Sequence, residues 1–228
     1  MARHGKQYRK ALEKVNSEKE YSLKEAVDLL KEMASTKFDS TVEGHLNVKY
    51  KSLQNVRGIV QLPHGTGRTS RVLVFAKGDK AEEAKKAGAD FVGDADMIEK
   101  VQKGWVDYEF VVATPDLMKD VGKLGPVLGK KGLMPKPKAG TVTNDVTEII
   151  QQLKSGRVEF KADKTGVVHM ALGKISFSAE KLVENITTAF QVVMREKPTD
   201  AKGEYVVSMY LAGTMTPGVK VNVKELRL

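Results

Sequence analysis

The sequence predicts a two-domain protein of the α/β and α+β classes, in which residues 1–66 and 157–228 form a split α+β domain and residues 67–156 form an α/β domain inserted into it. Three observations favour this division. Apolar and polar residues alternate at both ends of the chain, which is typical of half-buried strands. The middle alternates short apolar runs with helical segments, as in a parallel sheet covered on both faces. The formal net charge is +2 in the middle and +7 in the two ends together.

The N-terminal part begins with basic residues and a helical spacing of apolar ones over residues 3–14, which predicts a short basic helix or arm. Ser22 and Glu25 have the spacing of a capping box, in which a hydroxyl and a carboxylate bind the first N–H groups of a helix. Apolar residues then recur every three or four positions and predict a helix over residues 23–34. Two strands follow, which we expect to pair antiparallel with a helix on one face. They cover residues 42–50 and 55–62.

The middle of the chain has the order strand, helix, strand, helix, strand, which implies a parallel sheet. Gly88 ends the first of these helices and Gly156 stops the last helix of the unit. The predicted strands are residues 72–76, 90–92 and 110–113, and the predicted helices are residues 79–87, 95–103, 115–121 and 144 or 145 to 153.

Alternation returns after residue 156 and predicts four strands around one long helix. Ser178 starts this helix and Lys197-Pro198 ends it, because the residue before a proline is driven away from helical geometry. We expect these four strands and the two N-terminal strands to complete one sheet. The four are residues 158–162, 167–175, 205–212 and near 219–223.

A basic loop runs from Lys119 to Thr141 and holds six lysines against one acid, Asp120. Its glycines and prolines predict a shaped loop with at most short helical turns. Apolar residues between the lysines, from Leu124 to Met134, can anchor it on a core while the lysines face outward. A basic surface of fixed shape suits a polyanion, although a solvated lysine-rich loop has the same composition.

Composition excludes several classes of function. The net charge of +9 and the pI of about 9.5 favour nucleic acid or an anionic surface as partner. Cysteine is absent, so disulfides and thiolate metal sites are excluded. The basic N-terminus has no apolar core typical of a secretory signal, and no apolar run is long enough to span a membrane.

Catalytic and cofactor motifs are also missing. The four histidines have no metal-ligand spacing, and no Gly-x-Ser-x-Gly motif is present. The run Gly65-Thr-Gly-Arg-Thr-Ser70 resembles a phosphate loop only faintly, since it leads into a strand and lacks the Gly-Lys-Ser/Thr ending. We therefore expect no enzyme, no cofactor and no metal. A nucleotide-binding enzyme built on the central domain and a membrane-surface adaptor remain the alternatives.

Three stretches of the more basic domain are candidates for RNA contact. Lys37-Phe38 pairs a cation with an aromatic ring that can stack on a base or sugar, although Phe38 could equally be a core residue. Asp163-Lys-Thr-Gly166 is a hairpin turn with donors at its tip. Gly213-Thr-Met-Thr-Pro-Gly218 is a second turn, whose methionine would need a partner.

Motifs along almost the whole chain resemble those of the L-one family of bacterial large-subunit ribosomal proteins. The most specific is Leu124-Gly-Pro-Val-Leu-Gly-Lys-Lys-Gly-Leu-Met-Pro135. Other matching motifs are His4-Gly-Lys-x-Tyr8, Ala34-Ser-Thr-Lys-Phe38-Asp, Asn55-Val-Arg-Gly58, Leu62-Pro-His-Gly65, Ala87-Gly-Ala-Asp90, Val112-Ala-Thr-Pro115-Asp, Gly156-Arg-Val-Glu-Phe160 and Asp163-Lys-Thr-Gly166.

The resemblance implies a split first domain that binds large-subunit rRNA and an inserted three-layer, Rossmann-like α/β domain that faces the exit-site tRNA. It implies a cytoplasmic ribosomal protein of the mobile stalk, monomeric off the ribosome, that assists tRNA release and represses translation by binding its own mRNA leader. The implied RNA contacts are Lys37, Phe38, Thr41, Lys164, Thr165, Ser208, Thr214, Met215 and Thr216. Lysines of the basic loop that could face tRNA are Lys123, Lys130, Lys131, Lys136 and Lys138.

One position departs from the family pattern. The family usually has glycine after Thr-Met, and this chain has Thr216. Glycine would allow a close backbone approach or a positive φ. We expect the threonine to keep the RNA contact in a changed form, since its hydroxyl could bond a 2′-OH or a phosphate.

Overall fold

Eight α-helices and nine strands form within residues 5–49, 56–137, 140–198 and 203–227, which are the residues that the computed structural model describes. The helices are α1 Lys6–Leu12, α2 Leu23–Met33, α3 Asp79–Lys86, α4 Ala95–Gln102, α5 Met118–Gly122, α6 Gly125–Leu128, α7 Val146–Lys154 and α8 Ala179–Arg195. The strands are β1 Thr41–Val48, β2 Arg57–Gln61, β3 Val72–Phe75, β4 Phe91–Gly93, β5 Phe110–Ala113, β6 Arg157–Lys161, β7 Val167–Lys174, β8 Val206–Gly213 and β9 Val219–Val221. Short 3₁₀ turns lie at Pro115–Leu117 and Glu225–Arg227.

The chain divides into two compact units. Unit 1 consists of Met1–Gly67 and Gly156–Leu228, and unit 2 consists of Arg68–Ser155. The mixed α/β and α+β class predicted from the sequence is confirmed.

Unit 1 contains two sheets. The larger is antiparallel, with strand order β7-β1-β8-β9, and the smaller pairs β2 with β6. The expected antiparallel pair of the two N-terminal strands is therefore wrong, as is the expectation that all six strands complete one sheet. Each N-terminal strand instead pairs with strands from the C-terminal part of the chain. The segment 50–55 between β1 and β2 lies outside the described residues.

One face of the four-stranded sheet is buried under helices. Val42 and Leu46 of β1 share a core with Leu30 of α2 and Ile186 of α8, and all four are at most 1% exposed. The predicted capping box is confirmed, since Ser22 Oγ accepts from the Glu25 N–H at 3.4 Å and the Glu25 carboxylate accepts from the Ser22 N–H at 3.3 Å. These helices leave the opposite face of the sheet, with the intervening residues of each strand, open to solvent.

Unit 2 contains a three-stranded parallel sheet of order β4-β3-β5, as the strand–helix alternation predicts. All four residues of β3 are fully buried, because the two faces of the sheet carry separate cores. Leu73 and Phe75 point into a core with α4, α5 and α6, whereas Val72 and Val74 point into one with α3 and α7. The unit is thus built of three layers.

Candidate nucleic-acid interface

The segment before β1 and the turn after β8 meet at one corner of unit 1, although they are far apart in sequence. The Thr214 N–H donates to the Thr41 carbonyl at 3.2 Å, and the Thr41 N–H donates to Thr214 Oγ1 at 3.2 Å. Pairing of Val42 with Gly213 places these contacts at the end of the two strands. We call residues 37–41 and 213–216 the β1–β8 corner. It brings together six of the nine residues proposed to contact RNA.

Two large apolar side chains of this corner face solvent. Phe38 is 59% exposed and Met215 is 77% exposed, so neither contributes to the core. Single exposed apolar residues are common, but an aromatic ring and a thioether on adjoining loops are typical of an interaction surface. Lys37 beside Phe38 is also exposed.

The turn that carries Met215 is strained and internally bonded. Met215 has a φ of 69°, and it is the one non-glycine residue with positive φ among the described residues. Thr216 Oγ1 accepts from the Gly213 N–H at 2.8 Å and donates to the Gly213 carbonyl at 3.1 Å. The positive φ therefore falls on Met215 rather than on residue 216, and the Thr216 hydroxyl bonds both backbone groups of Gly213 inside the turn.

The 37–41 segment is held in place by bonds of its own Asp39 and of Ser176 and Lys174, residues to which the sequence analysis gave no role. The Asp39 carboxylate accepts from the Ser176 N–H at 3.1 Å and from the Ser176 hydroxyl at 2.7 Å. The Lys174 ammonium donates to the Asp39 carbonyl at 3.2 Å and to Thr41 Oγ1 at 2.9 Å. Only the pairing of β1 with β7, which sets Thr41 opposite Lys174, reveals this network.

The Asp163–Gly166 turn lies at the other end of the same sheet. The Val48 N–H at the end of β1 donates to the Gly166 carbonyl at 2.7 Å. Lys164 and Thr165 are both exposed at the tip. With a rise of about 3.3 Å per residue along β1, this end lies about 20 Å from the β1–β8 corner.

The Asp163 carboxylate organises this turn. It accepts from the N–H groups of Val167 and Thr165, each at 2.8 Å, and from the Thr165 hydroxyl at 2.7 Å. These bonds, the Val167 N–H first, lower the pKa of Asp163 to about 2. The Thr165 hydroxyl is therefore directed into the turn, and Lys164 supplies the tip's positive charge.

The open face of the sheet connects the two ends. Ser208 of β8 pairs with Asn47 of β1, and Asn47 also pairs with Val167 of β7, next to the Asp163–Gly166 turn. Between this point and Thr41, alternate residues of each strand point away from the core. They are Glu43 and His45 of β1, His169 and Ala171 of β7, and Tyr210 and Ala212 of β8. We call these residues, with Thr41, Asn47, Val167 and Ser208, the open sheet face.

The basic loop of unit 2 is anchored as expected. Leu124 and Leu128 are fully buried, and α5 and α6 are the short helical turns within it. Lys123, Lys130 and Lys131 are exposed, and Lys123 forms an ion pair with Asp120 at 2.8 Å. Lys136 is exposed, and its N–H donates to Thr141 Oγ1 at 2.8 Å. Lys138 lies outside the described residues.

The described residues give no support for a metal site, a membrane-spanning helix or a phosphate-binding loop. Among the described residues no group of three or more His, Cys, Asp or Glu could hold a metal ion, and no helix is long and apolar enough to cross a bilayer. The Gly65–Ser70 run leads into β3, a strand, and so provides no helix N-terminus for a phosphate.

Comparison with known proteins gives a family and close relatives. The family model described as Ribosomal protein L1p/L10e matches residues 30–217. Proteins named large ribosomal subunit protein uL1 are similar along the whole chain. The one from Leptospira biflexa is 59% identical and aligns over 98% of this chain and 97% of its own. That from Thermosipho melanesiensis is 54% identical over 99% of both chains, and that from Macrococcus caseolyticus is 52% identical over all of both chains. The chain therefore belongs to the ribosomal protein L1p/L10e family.

Proposed function

We propose that this chain is a structural constituent of the large ribosomal subunit in the bacterial cytoplasm and that unit 1 binds large-subunit rRNA. The single observation that best supports the site is the β1–β8 corner, where residues from both ends of the chain meet and carry exposed Phe38 and Met215. Family membership supports the ribosomal role. It argues against a nucleotide-binding enzyme built on the central domain, because the family is one of ribosomal proteins.

The proposed recognition depends mainly on RNA shape. A-form RNA offers a shallow minor groove of 2′-hydroxyl groups, and internal loops offer unstacked bases. In this proposal Phe38 and Met215 pack against bases or sugars at such a loop, while the carbonyls and hydroxyls of Thr41 and Thr214 lie at the groove edge. Lys37 and Lys164, at opposite ends of the open sheet face, pair with phosphates. Each phosphate neutralised should steepen the loss of affinity with salt by about 0.7 to 0.9 log units of the binding constant per log unit of salt concentration.

Substitution of the two exposed apolar residues tests the rRNA site. Phe38→Ala and Met215→Asp should each weaken binding of a large-subunit rRNA transcript by about 1–3 kcal/mol, measured by filter binding at one fixed salt concentration. Leu12→Ala is the matched control, because Leu12 is a 44% exposed apolar residue of unit 1 on α1. Unchanged affinity in both site variants, with all three melting like the wild type, would remove the corner from the interface.

We further propose that the basic loop of unit 2 faces the exit-site tRNA and assists its release. The described lysines of the loop face solvent while Leu124 and Leu128 are buried, so their charge is held in a fixed arrangement. Lys130→Gln/Lys131→Gln should slow tRNA departure from reconstituted ribosomes. Lys85→Gln/Lys86→Gln, a double change of exposed lysines on α3, is the control. Equal release rates for the two double variants would contradict the role.

A regulatory role follows if one RNA site serves two RNAs. We propose that the β1–β8 corner also binds the chain's own mRNA leader and thereby represses translation. An rRNA fragment should then displace the leader competitively, and Met215→Asp should weaken the binding of both RNAs. A leader that binds Met215→Asp as tightly as the wild type would show that repression, if any, uses another surface.

A further inference from the structure

Two histidines face each other at the centre of the open sheet face. His45 of β1 and His169 of β7 are register partners, and their Nδ1 atoms lie 2.8 Å apart. The ring centroids are 5.0 Å apart and the ring planes are inclined by 66°. This distance is that of a hydrogen bond, so one Nδ1 carries a hydrogen and the other accepts it.

The hydrogen bond limits the charge states of the pair. In the neutral pair, the ring that donates from Nδ1 has an unprotonated Nε2, and the other ring has an Nε2–H. A first added proton goes to the bare Nε2, which keeps the Nδ1 hydrogen bond and gives one positive charge with two outward N–H groups. A second proton would place hydrogens on both Nδ1 atoms and break the bond. The pair is therefore suited to take up one proton and resist a second.

The two carboxylates beside the pair favour that single charge, whereas burial opposes it. Glu43 Oε2 lies 4.0 Å from His45 Nε2, and Asp163 Oδ2 lies 3.7 Å from His169 Nε2. Burial first, and then the neighbouring His169, lower the pKa of His45. Tyr210 faces His45 from β8, and Lys220 of β9 beyond it is paired with Glu20 at 2.8 Å. With neutral histidines, the two nearby carboxylates would thus repel a polyanion laid across this face.

We propose that RNA bound to the open sheet face draws one proton onto the His45–His169 pair, so that the protein binds RNA more tightly as the pH falls. The inference rests on the proposed rRNA function of unit 1. RNA phosphates favour the protonated pair, because its positive charge offsets one of the two carboxylate charges. By thermodynamic linkage, protonation of the pair must then raise the affinity for RNA by the same factor. The pair thereby makes rRNA affinity sensitive to pH close to neutrality, where histidine changes its charge.

The test uses the full-length chain and a large-subunit rRNA transcript, with the dissociation constant measured between about pH 8 and about pH 6 at constant ionic strength. Wild type should bind at least about threefold more tightly at the lower pH, within the limit of about tenfold per pH unit for one proton. His45→Gln and His169→Gln should each flatten this dependence. His64→Gln should keep it, since His64 contacts Glu184 at 2.5 Å, away from the open sheet face.

The outcomes separate this inference from the proposed function. If all four proteins share one pH slope, or if wild type shows none, the proton uptake is wrong while RNA binding stands. If wild type does not bind the transcript at any pH, or if Phe38→Ala and Met215→Asp bind as it does, the proposed site itself fails. Proton NMR of the imidazole rings gives a second readout, because RNA should raise the pKa of His45 in wild type. Circular dichroism at each pH confirms that the variants are folded.

Discussion

At the scale of single residues, Met215 combines a conformational cost with an exposed side chain. A left-handed backbone costs a non-glycine residue about 1–2 kcal/mol, and Met215 adopts it with a φ of 69° while its side chain is 77% exposed. A residue that costs stability and makes no core contact is more easily explained by binding than by folding. The turn therefore displays the thioether at the expense of local strain.

Met215→Gly separates these two effects. Glycine relieves the left-handed strain of the folded protein, which raises stability. It also increases the entropy of the unfolded chain, which lowers stability. The free energy of unfolding should therefore rise by at most about 1 kcal/mol. RNA affinity should fall, since the side chain is gone. Urea unfolding and filter binding on the same preparation measure the two changes. A fall in both stability and affinity would mean that the side chain supports the fold.

Thr216 has a different part in the same turn, because its hydroxyl bonds both backbone groups of Gly213. Thr216→Val removes that hydroxyl at nearly constant shape, and we expect a loss of about 1 kcal/mol in stability together with several-fold weaker RNA binding. Thr216→Ser, which keeps the hydroxyl, is the control and should stay close to wild type. Thr216→Gly restores the family's usual residue. A tenfold gain of RNA affinity in that variant would show that the threonine is a defect in the site.

At the scale of elements, Lys174 of β7 holds the segment that carries Phe38. Its ammonium bonds the Asp39 carbonyl and the Thr41 hydroxyl from the neighbouring strand. Lys174→Met keeps the apolar stem but releases the segment, so RNA affinity should fall by about 1 kcal/mol. Lys161→Met, an exposed lysine on β6 of the same unit, controls for the lost charge. Equal losses in the two variants would assign the effect to net charge alone.

The Asp163–Gly166 turn has its own pH dependence. Asp163 has a pKa of about 2 in the folded chain against an ordinary value of 3.8, because the turn's N–H groups and the Thr165 hydroxyl bind the ionised carboxylate. A carboxyl group whose pKa is lower in the folded than in the unfolded chain stabilises the fold at pH values above its unfolded pKa. This stabilisation is lost as the pH falls from about 4 to about 2. Wild type should thus lose more stability than Asp163→Asn in this window, measured by urea unfolding. Parallel curves for the two proteins would show that the turn contributes nothing.

The local elements were predictable from the sequence, whereas the pairing of strands was not. The capping box at Ser22, the period of α2 and the buried run of β3 are local patterns, and the structure contains all three. Two-residue alternation shows that β1 is half buried but gives no partner, so nearness in sequence suggested β2. The actual partners, β7 and β8, lie more than a hundred residues away. Lys174, Asp39 and the His45–His169 pair went unrecognised for the same reason.

At the scale of the whole molecule, unit 1 is formed from two separate parts of the chain, and its own contacts join them. The Leu62 N–H donates to the Gly156 carbonyl at 3.3 Å, and the Asn185 side chain donates to the Gly65 carbonyl at 3.0 Å. A Cβ on Gly156, whose φ is 101°, would lie 2.2 Å from Gly65 Cα. The points where the chain leaves unit 1 and returns to it are therefore adjacent and fixed by unit 1 itself.

This closeness makes the separation of functions testable. Replacement of Arg68–Ser155 by a short glycine-serine linker closes a small gap, so loop closure costs little and unit 1 should fold cooperatively. We expect its footprint on large-subunit rRNA to match that of the full chain, with an affinity within about threefold, since the β1–β8 corner and the open sheet face are intact. Met215→Asp in this shortened chain should weaken binding by about 1–3 kcal/mol, as expected for the full-length protein. A folded unit 1 that leaves the rRNA unprotected would show that unit 2 supplies essential contacts, and the assignment of rRNA binding to unit 1 alone would then be wrong.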